Sequence, residues 1–414
     1  MSHLLIFIIS LLAIAGVIIR PFRLPEATWA AAGAILLLLT GQITLTQAGA
    51  GVAKGTDVYL FLAGMMLLSE TAREEKLFDW LAAQAVKASK GSASGLFFMI
   101  YISGILVTAL LSNDATAVVL TPAVIAATKA AGVKNQLPYL LICAFIANAA
   151  SFLLPISNPA NLVIYAAHLP TLISWLKAFL LPSVIAIAAT YFTLKFTQRR
   201  ALKEQFDTPA TIIKLSQTGQ LALYSILATV VVLLICSAFD VPLGLPTFIT
   251  GLLATLIIAL AARKSVYKTF REVSWSVLFL VAGLFVIVEA LSGTGITGHL
   301  ASALSRASDM HPAKVALSVG SGIAFICNLM NNLPVGLMAG QVAQSATLPE
   351  VVRKAILIGI DLGPNLSVTG SLATILWLVA LRREGVKVSN WSFLKTGVLV
   401  MTIPLILTLL IILI

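Results

Sequence analysis

Residues 112–122 read SNDATAVVLTP, and the fold turns on how the polar trio at its start is explained. The trio, Ser112, Asn113 and Asp114, interrupts an apolar stretch that runs from about 93 to 131. In lipid, three successive polar side chains on irregular backbone would strand hydrogen-bonding groups at several kcal/mol each. Such a segment is stable only where protein or a watery cavity surrounds it. The same pattern returns 218 residues later, where Asn331 and Asn332 divide the apolar stretch 312–347. Both stretches are therefore expected to be re-entrant hairpins with their polar tips inside the bilayer.

Outward from these two stretches the chain is almost continuously apolar. Of 414 residues 59% are hydrophobic and 10% charged, far from the roughly 25% charged of a soluble domain. Apolar runs recur at the length a helix needs to cross a hydrocarbon layer, and no alternating pattern of barrel strands is present. The fold class is thus all-α and polytopic. The expected spans are 4–20, 26–46, 57–70, 138–166, 171–195, 220–239, 246–262, 273–291, 354–379 and 391–414. Leu4 to Ile19 lacks the basic flank and small-residue cleavage site of a signal peptide and reads as a retained first span.

Basic residues decide sidedness, because cytoplasmic loops are enriched in Lys and Arg. With the N-terminus outside and each hairpin returning to its own side, only Lys54, Lys177, Arg306, Lys314, Arg353 and Lys354 of the 27 basic residues fall outside. Both termini are then external. The net charge of +11 is explained by these short loops rather than by a nucleic-acid partner. Cys143, Cys236 and Cys327 fit neither a metal motif nor a disulfide framework, and no cofactor or resident metal is expected.

Five crossings precede a basic linker at 196–218 and five follow it, so two inverted repeats are expected, 1–195 and 219–414. LFLAGMMLLSE, ending at Glu70, matches LFLVAGLFVIVE, ending at Glu289. PISNPAN (155–161) and GPNLSVTGS (363–371) break the spans 138–166 and 354–379 at corresponding places. Internal symmetry with interrupted helices at matching positions is the signature of a secondary transporter.

The polar breaks supply the candidate binding residues: Asn113, Asp114 and Thr116 in the first hairpin, Asn331 and Asn332 in the second, and Ser157, Asn158, Asn161, Asn365, Ser367, Thr369 and Ser371 in the broken spans. Amides and hydroxyls beside exposed helix ends can cradle a small solute. The plainer account is that Asn113 and Asp114 cap a helix and that the proline-containing breaks are kinks; both are compatible with a site. Buried ionisable groups are costly and mark coupling ions or protons, which singles out Asp114 first and Asp361 second. Glu70 and Glu289 lie at span ends and read as solvated, Asp57 and Asp240 as interfacial. Cys327, one turn before Asn331, could approach a thiophilic solute, although a single buried Cys is usually packing.

FLAGMMLLSETAREEKLFDW (61–80), SNDATAVVLTPAV (112–124), LLPISNPANLVIY (153–165) and NLMNNLPVGLMAG (328–340) resemble the arsenical pump membrane protein family, within the ion transporter superfamily, along essentially the whole chain. The resemblance implies efflux of arsenite and antimonite from the cytoplasm of a bacterium across its inner membrane, in exchange for protons, in some members with a soluble ATPase subunit. It implies a translocation site where the four polar breaks meet, moving against a scaffold of spans 1–3 and 7–9. A sodium- or proton-coupled carrier of another small solute, such as a carboxylate, is the alternative on the same scaffold. An intramembrane enzyme using Asp114 and Asp361 is disfavoured, since the repeat-mate of Asp114 is Asn332.

Overall fold

A computed structural model describes residues 2–165, 169–206 and 214–414. Part of the expected linker, 207–213, and residue 166 of the span 138–166 lie outside the described residues. Among those described there is no strand, only a bridge between Ser92 and Gln205. That bridge, with Phe206 N–H donating to Gly91 O at 3.1 Å, brings the start of the linker back to the foot of the first hairpin.

The first half contains α1 (Ser2–Ile19), α2 (Glu26–Leu39), α3 (Leu45–Lys54), α4 (Thr56–Glu74), α5 (Leu77–Ala88), α6 (Ala93–Leu110), α7 (Thr121–Ala130), α8 (Leu137–Ala149), α9 (Pro159–Ile164) and α10 (Leu172–Thr197). A helical turn at Asn113–Ala115 and a π-helical segment at Thr116–Leu120 lead into α7. The second half contains α11 (Gln217–Ala238), α12 (Gly244–Ala262), α13 (Val266–Glu272), α14 (Ser276–Gly293), α15 (Ile296–Met310), α16 (Pro312–Met330), α17 (Asn332–Ser345), α18 (Glu350–Leu362), α19 (Leu372–Arg383) and α20 (Asn390–Ile411). Each helix of one half thus has a mate ten places on.

Packing obeys the same exchange. The pair α4 and α12 recurs as α14 and α2, α3 with α14 recurs as α13 with α4, and α9 with α17 recurs as α19 with α7. Helices α10 and α20, counterparts in the order of elements, pack on each other. The halves therefore interlock rather than sit side by side.

Two helix groups result. One holds α1 to α4 with α11 to α14. The other holds the two helix–tip–helix units, the broken spans, and α10 and α20. This corrects the expected scaffold: the second-half contribution comes from spans 6–8, because span 9 has become α18 and α19, and α18 packs on α16 and α17. In the first group the backbones approach closely. A Cβ on Gly64 would lie 2.2 Å from Thr247 O, and one on Gly251 2.3 Å from Gly64 O, so glycine is what lets α4 and α12 touch. Thr71 and Thr255 then bridge the same two helices by hydroxyls 2.9 Å apart.

Among the described residues seven helices, α6, α10, α11, α12, α14, α16 and α20, are long and apolar enough to cross a membrane, or eight when α3 and α4, bent by 50°, count as one. The ten expected spans include shorter pieces for a physical reason. Proline and polar residues split 138–166 and 354–379 into short helices joined by 3₁₀ turns, Pro155–Ser157 and Gly363–Asn365. The first arms of the expected hairpins, α6 and α16, are themselves of spanning length.

Ion pairs hold the end of α4 to the second half. Glu75 accepts from Lys264 at 2.5 Å and from Thr218, and Glu74 accepts from Thr269 at 2.6 Å. At the mate end, Lys54 pairs with Glu289 at 2.6 Å. Ser292 of α14 hydrogen-bonds Gln341 of α17, a tie between the two helix groups. Glu70 corrects an expectation: it is buried and bonded by Arg73 rather than solvated.

Candidate functional site

Four helix starts meet at one small, partly open cavity. Its wall contains Asn113 and Asp114, Pro159 and Ala160 at the head of α9, Asn332 and Leu333 at the head of α17, and Leu372 and Ala373 at the head of α19. Asn158 completes the polar rim, and Leu62, Val277 and Val281 from α4 and α14 form an apolar back wall. Positive helix-dipole ends thus surround a space partly walled by hydrocarbon, where such dipoles are weakly screened.

Capping explains why these starts are stable at that depth, and it redistributes the expected roles. Ser112, extended at φ −173°, accepts from Ala115 N at 3.1 Å. Asn158 accepts from Ala160 N at 3.0 Å, Asn331 from Leu333 N at 3.3 Å, and Ser371 from Thr374 N at 3.1 Å. In the first hairpin the cap is therefore Ser112. Asn113 accepts from the next amide, Asp114 N, at 2.9 Å, and the Asp114 carboxyl is left to the cavity.

Of the twelve candidate binding residues, Asn113, Asp114, Asn158 and Asn332 line the cavity. The other eight stand behind it. Thr116 shares a hydrogen bond with Thr108 at 2.7 Å across the first tip. Ser157 donates to Ala109 O at 3.3 Å, and Asn161 to Ser151 O at 2.8 Å. Asn331 and Ser371 act as caps. Asn328 holds the second break: its Oδ1 accepts from Ser367 N at 3.0 Å and Ser367 Oγ at 2.7 Å, and its carbonyl accepts from Thr369 Oγ1 at 3.1 Å.

Asn365 is wholly buried and meets its mate: Asn148 Nδ2 donates to Asn365 Oδ1 at 3.0 Å. Asn148 and Asn328 were absent from the expected set because each sits inside an apolar helix. The available signal was the offset, since Asn148 and Asn365 are 217 apart in a chain whose repeats differ by 218 and 219.

Asp361 is wholly buried in α18 and does not line the cavity; its Oδ1 accepts from Asn158 Nδ2 at 2.6 Å. Asp57, expected as interfacial, accepts from Gly244 N at 2.7 Å and so caps α12. Cys327 is buried on α16 and lies off the cavity wall. No group of three or more metal-ligating side chains occurs among the described residues. The site can offer a small solute three amides and one carboxyl, with no Lys, Arg or His in its wall among the described residues.

Residues 5–359 match the citrate transporter family (CitMHS) over most of the chain. The chain belongs to that family. Among its relatives, an arsenical pump membrane protein of Yersinia enterocolitica is 29% identical over 351 residues, 82% of each chain. One from Escherichia coli (strain K12) is 29% identical over 416 residues, 96% of this chain and 95% of the relative. A putative arsenical pump membrane protein of Bacillus subtilis is 26% identical, covering 94% of both. The YdaH transporter of Alcanivorax borkumensis shares the fold with a TM-score of 0.60 at 14% identity, covering 89% of this chain and 86% of that one. The CitMHS chain is accordingly a multi-pass membrane transporter, as its apolar helices require.

Proposed function

We propose that this transporter exports arsenite, and antimonite, from the cytoplasm across a bacterial inner membrane in exchange for protons, with the solute held in the cavity between the four helix starts. The wall composition carries the reading: amides and a carboxyl with no cationic side chain. Arsenite near neutral pH is a neutral trihydroxy solute, and its hydroxyls match amide donors and acceptors. A tricarboxylate carries several negative charges, and against these the wall offers only the partial charges of helix starts and no cationic side chain among the described residues. The names of the relatives point the same way.

In this reading Asn113, Asp114, Asn158 and Asn332 touch the solute, and the other breaks position them. Asp114 is the carboxyl that exchanges a proton against the solute in the cavity, and α1 to α4 with α11 to α14 form the scaffold. The exchange symmetry supports two repeats, and the distribution of Lys and Arg supports their inversion, with the linker 196–218 cytoplasmic and both termini outside.

Growth of an arsenite-sensitive, pump-deleted bacterium carrying this gene tests the reading. Rescue is expected; failure despite confirmed membrane expression would overturn it in favour of a sodium- or proton-coupled carrier of a carboxylate, the solute class that the family description names.

A further inference from the structure

Asp361 and the cavity are joined by one side chain. Asn158 spends its Oδ1 on Ala160 N and its Nδ2 on Asp361 Oδ1, while itself forming part of the cavity wall. The second carboxyl oxygen, Asp361 Oδ2, is buried and has no partner among the described residues.

Nothing of opposite charge faces this carboxyl. Of the helices packed on α18, α16 brings the buried thiol of Cys327 and α8 the buried thiol of Cys143 and phenol of Tyr139, all neutral when protonated, while α9, α17 and α20 bring no buried ionisable side chain among the described residues. On α18 itself Arg353 and Lys354 lie about two turns away along the helix. Ser151, close by, commits its hydroxyl to Asn148 O at 2.7 Å. Asp114 is the other carboxyl near Asn158, across the cavity.

We propose that Asp361 is a positioning residue that links proton uptake to solute affinity through Asn158, without touching the solute. As a carboxylate it draws Asn158 Nδ2 into a charge-assisted bond, which fixes the start of α9 and the cavity wall in the solute-binding geometry. When a proton adds to Oδ2, the acid becomes neutral and the bond drops to ordinary strength. The segment 155–161 then loosens and solute affinity falls, so that proton and solute compete as exchange requires. This rests on the proton-exchange reading but not on the identity of the solute.

The test uses the full-length protein in lipid nanodiscs. Hydrogen-exchange protection of the backbone amides of 160–165, corrected for intrinsic rates, is measured without solute from mildly acid to mildly alkaline pH. Wild type is expected to lose about tenfold protection on the acid side, the ratio of a charge-assisted to a neutral hydrogen bond. Asp361→Asn should be weakly protected and flat with pH, Asn158→Ala likewise, and Asp361→Glu should restore the step. Asp114→Asn should keep it.

A wild-type step retained in Asp361→Asn, or in Asn158→Ala, would overturn the link. So would a flat wild-type profile. Arsenite affinity, read from arsenite-induced stabilisation measured alongside, should fall about tenfold in acid in wild type and not in Asp361→Asn. If the exchange step appears while arsenite binds at no pH, the link stands and only the solute assignment falls.

Discussion

Asn331 holds φ 69° and ψ 149° at the tip of the second hairpin, a region that costs a residue with a Cβ of order 1–3 kcal/mol. Its amide recovers part of that cost through Leu333 N at 3.3 Å and Thr369 O at 3.4 Å. Replacement by Ala keeps the strain and loses both bonds, whereas Gly loses the bonds and the strain together. Asn331→Ala should therefore lower stability by about 1–2 kcal/mol and Asn331→Gly by well under that. Thermal melts in detergent check the order, which is the reverse of the usual helix ranking.

The Asn148–Asn365 amide pair offers a second test at this scale. Either single Ala leaves a buried amide unsatisfied, at about 1–3 kcal/mol, so the double variant should cost less than the two singles added. Additive melting shifts would show that the amides are uncoupled. Residue types at the breaks were legible because polar atoms at bilayer depth need a reason. Their division into four that face the cavity and eight that hold those four was not, because hydrogen-bond direction depends on how separate helices dock.

At the scale of elements, what was legible were the interruptions. Proline and the polar trios marked where helices must end, and the ends are where the cavity formed. The wide π turn at Thr116–Leu120 had no visible cause in SNDATAVVLTP, since such turns answer to packing rather than propensity. Nor did hydropathy reveal the contact between α4 and α12, which rests on Gly64 and Gly251. Gly251→Leu would force these backbones apart, and overpacking of this kind costs about 1–3 kcal/mol or more. The expected outcome is poor accumulation of folded protein by fluorescence-detected size exclusion, with Gly49→Leu, which meets nothing within 4 Å, behaving as wild type.

For the molecule as a whole, the repeat was visible in two short matching strings, yet the interlocking of the halves was not, since no string encodes which mate packs on which. If the halves are inverted, single cysteines at Thr171 and at Ser389, which cap the mate helices α10 and α20, should label from opposite sides of the membrane in a variant lacking Cys143, Cys236 and Cys327. Labelling of both from one side would remove the inversion. If the two helix groups must slide past each other during export, oxidising a cysteine pair at Ser292 and Gln341 should stop transport in everted vesicles, and reductant should restore it. Undiminished export by the cross-linked pair would show that the groups travel together.

The Ser292–Gln341 tie also sets the relative energies of the two end states. At the offsets of 219 and 218, its mate positions hold Arg73 and Ala123, which cannot form the same bond. An arrangement in which the halves trade conformations forfeits this contact, worth about 1 kcal/mol, and is disfavoured by roughly fivefold on that account alone. The empty carrier should thus rest unevenly, waiting mostly on one side of the membrane, and the Gln341→Ala variant should even out its occupancy.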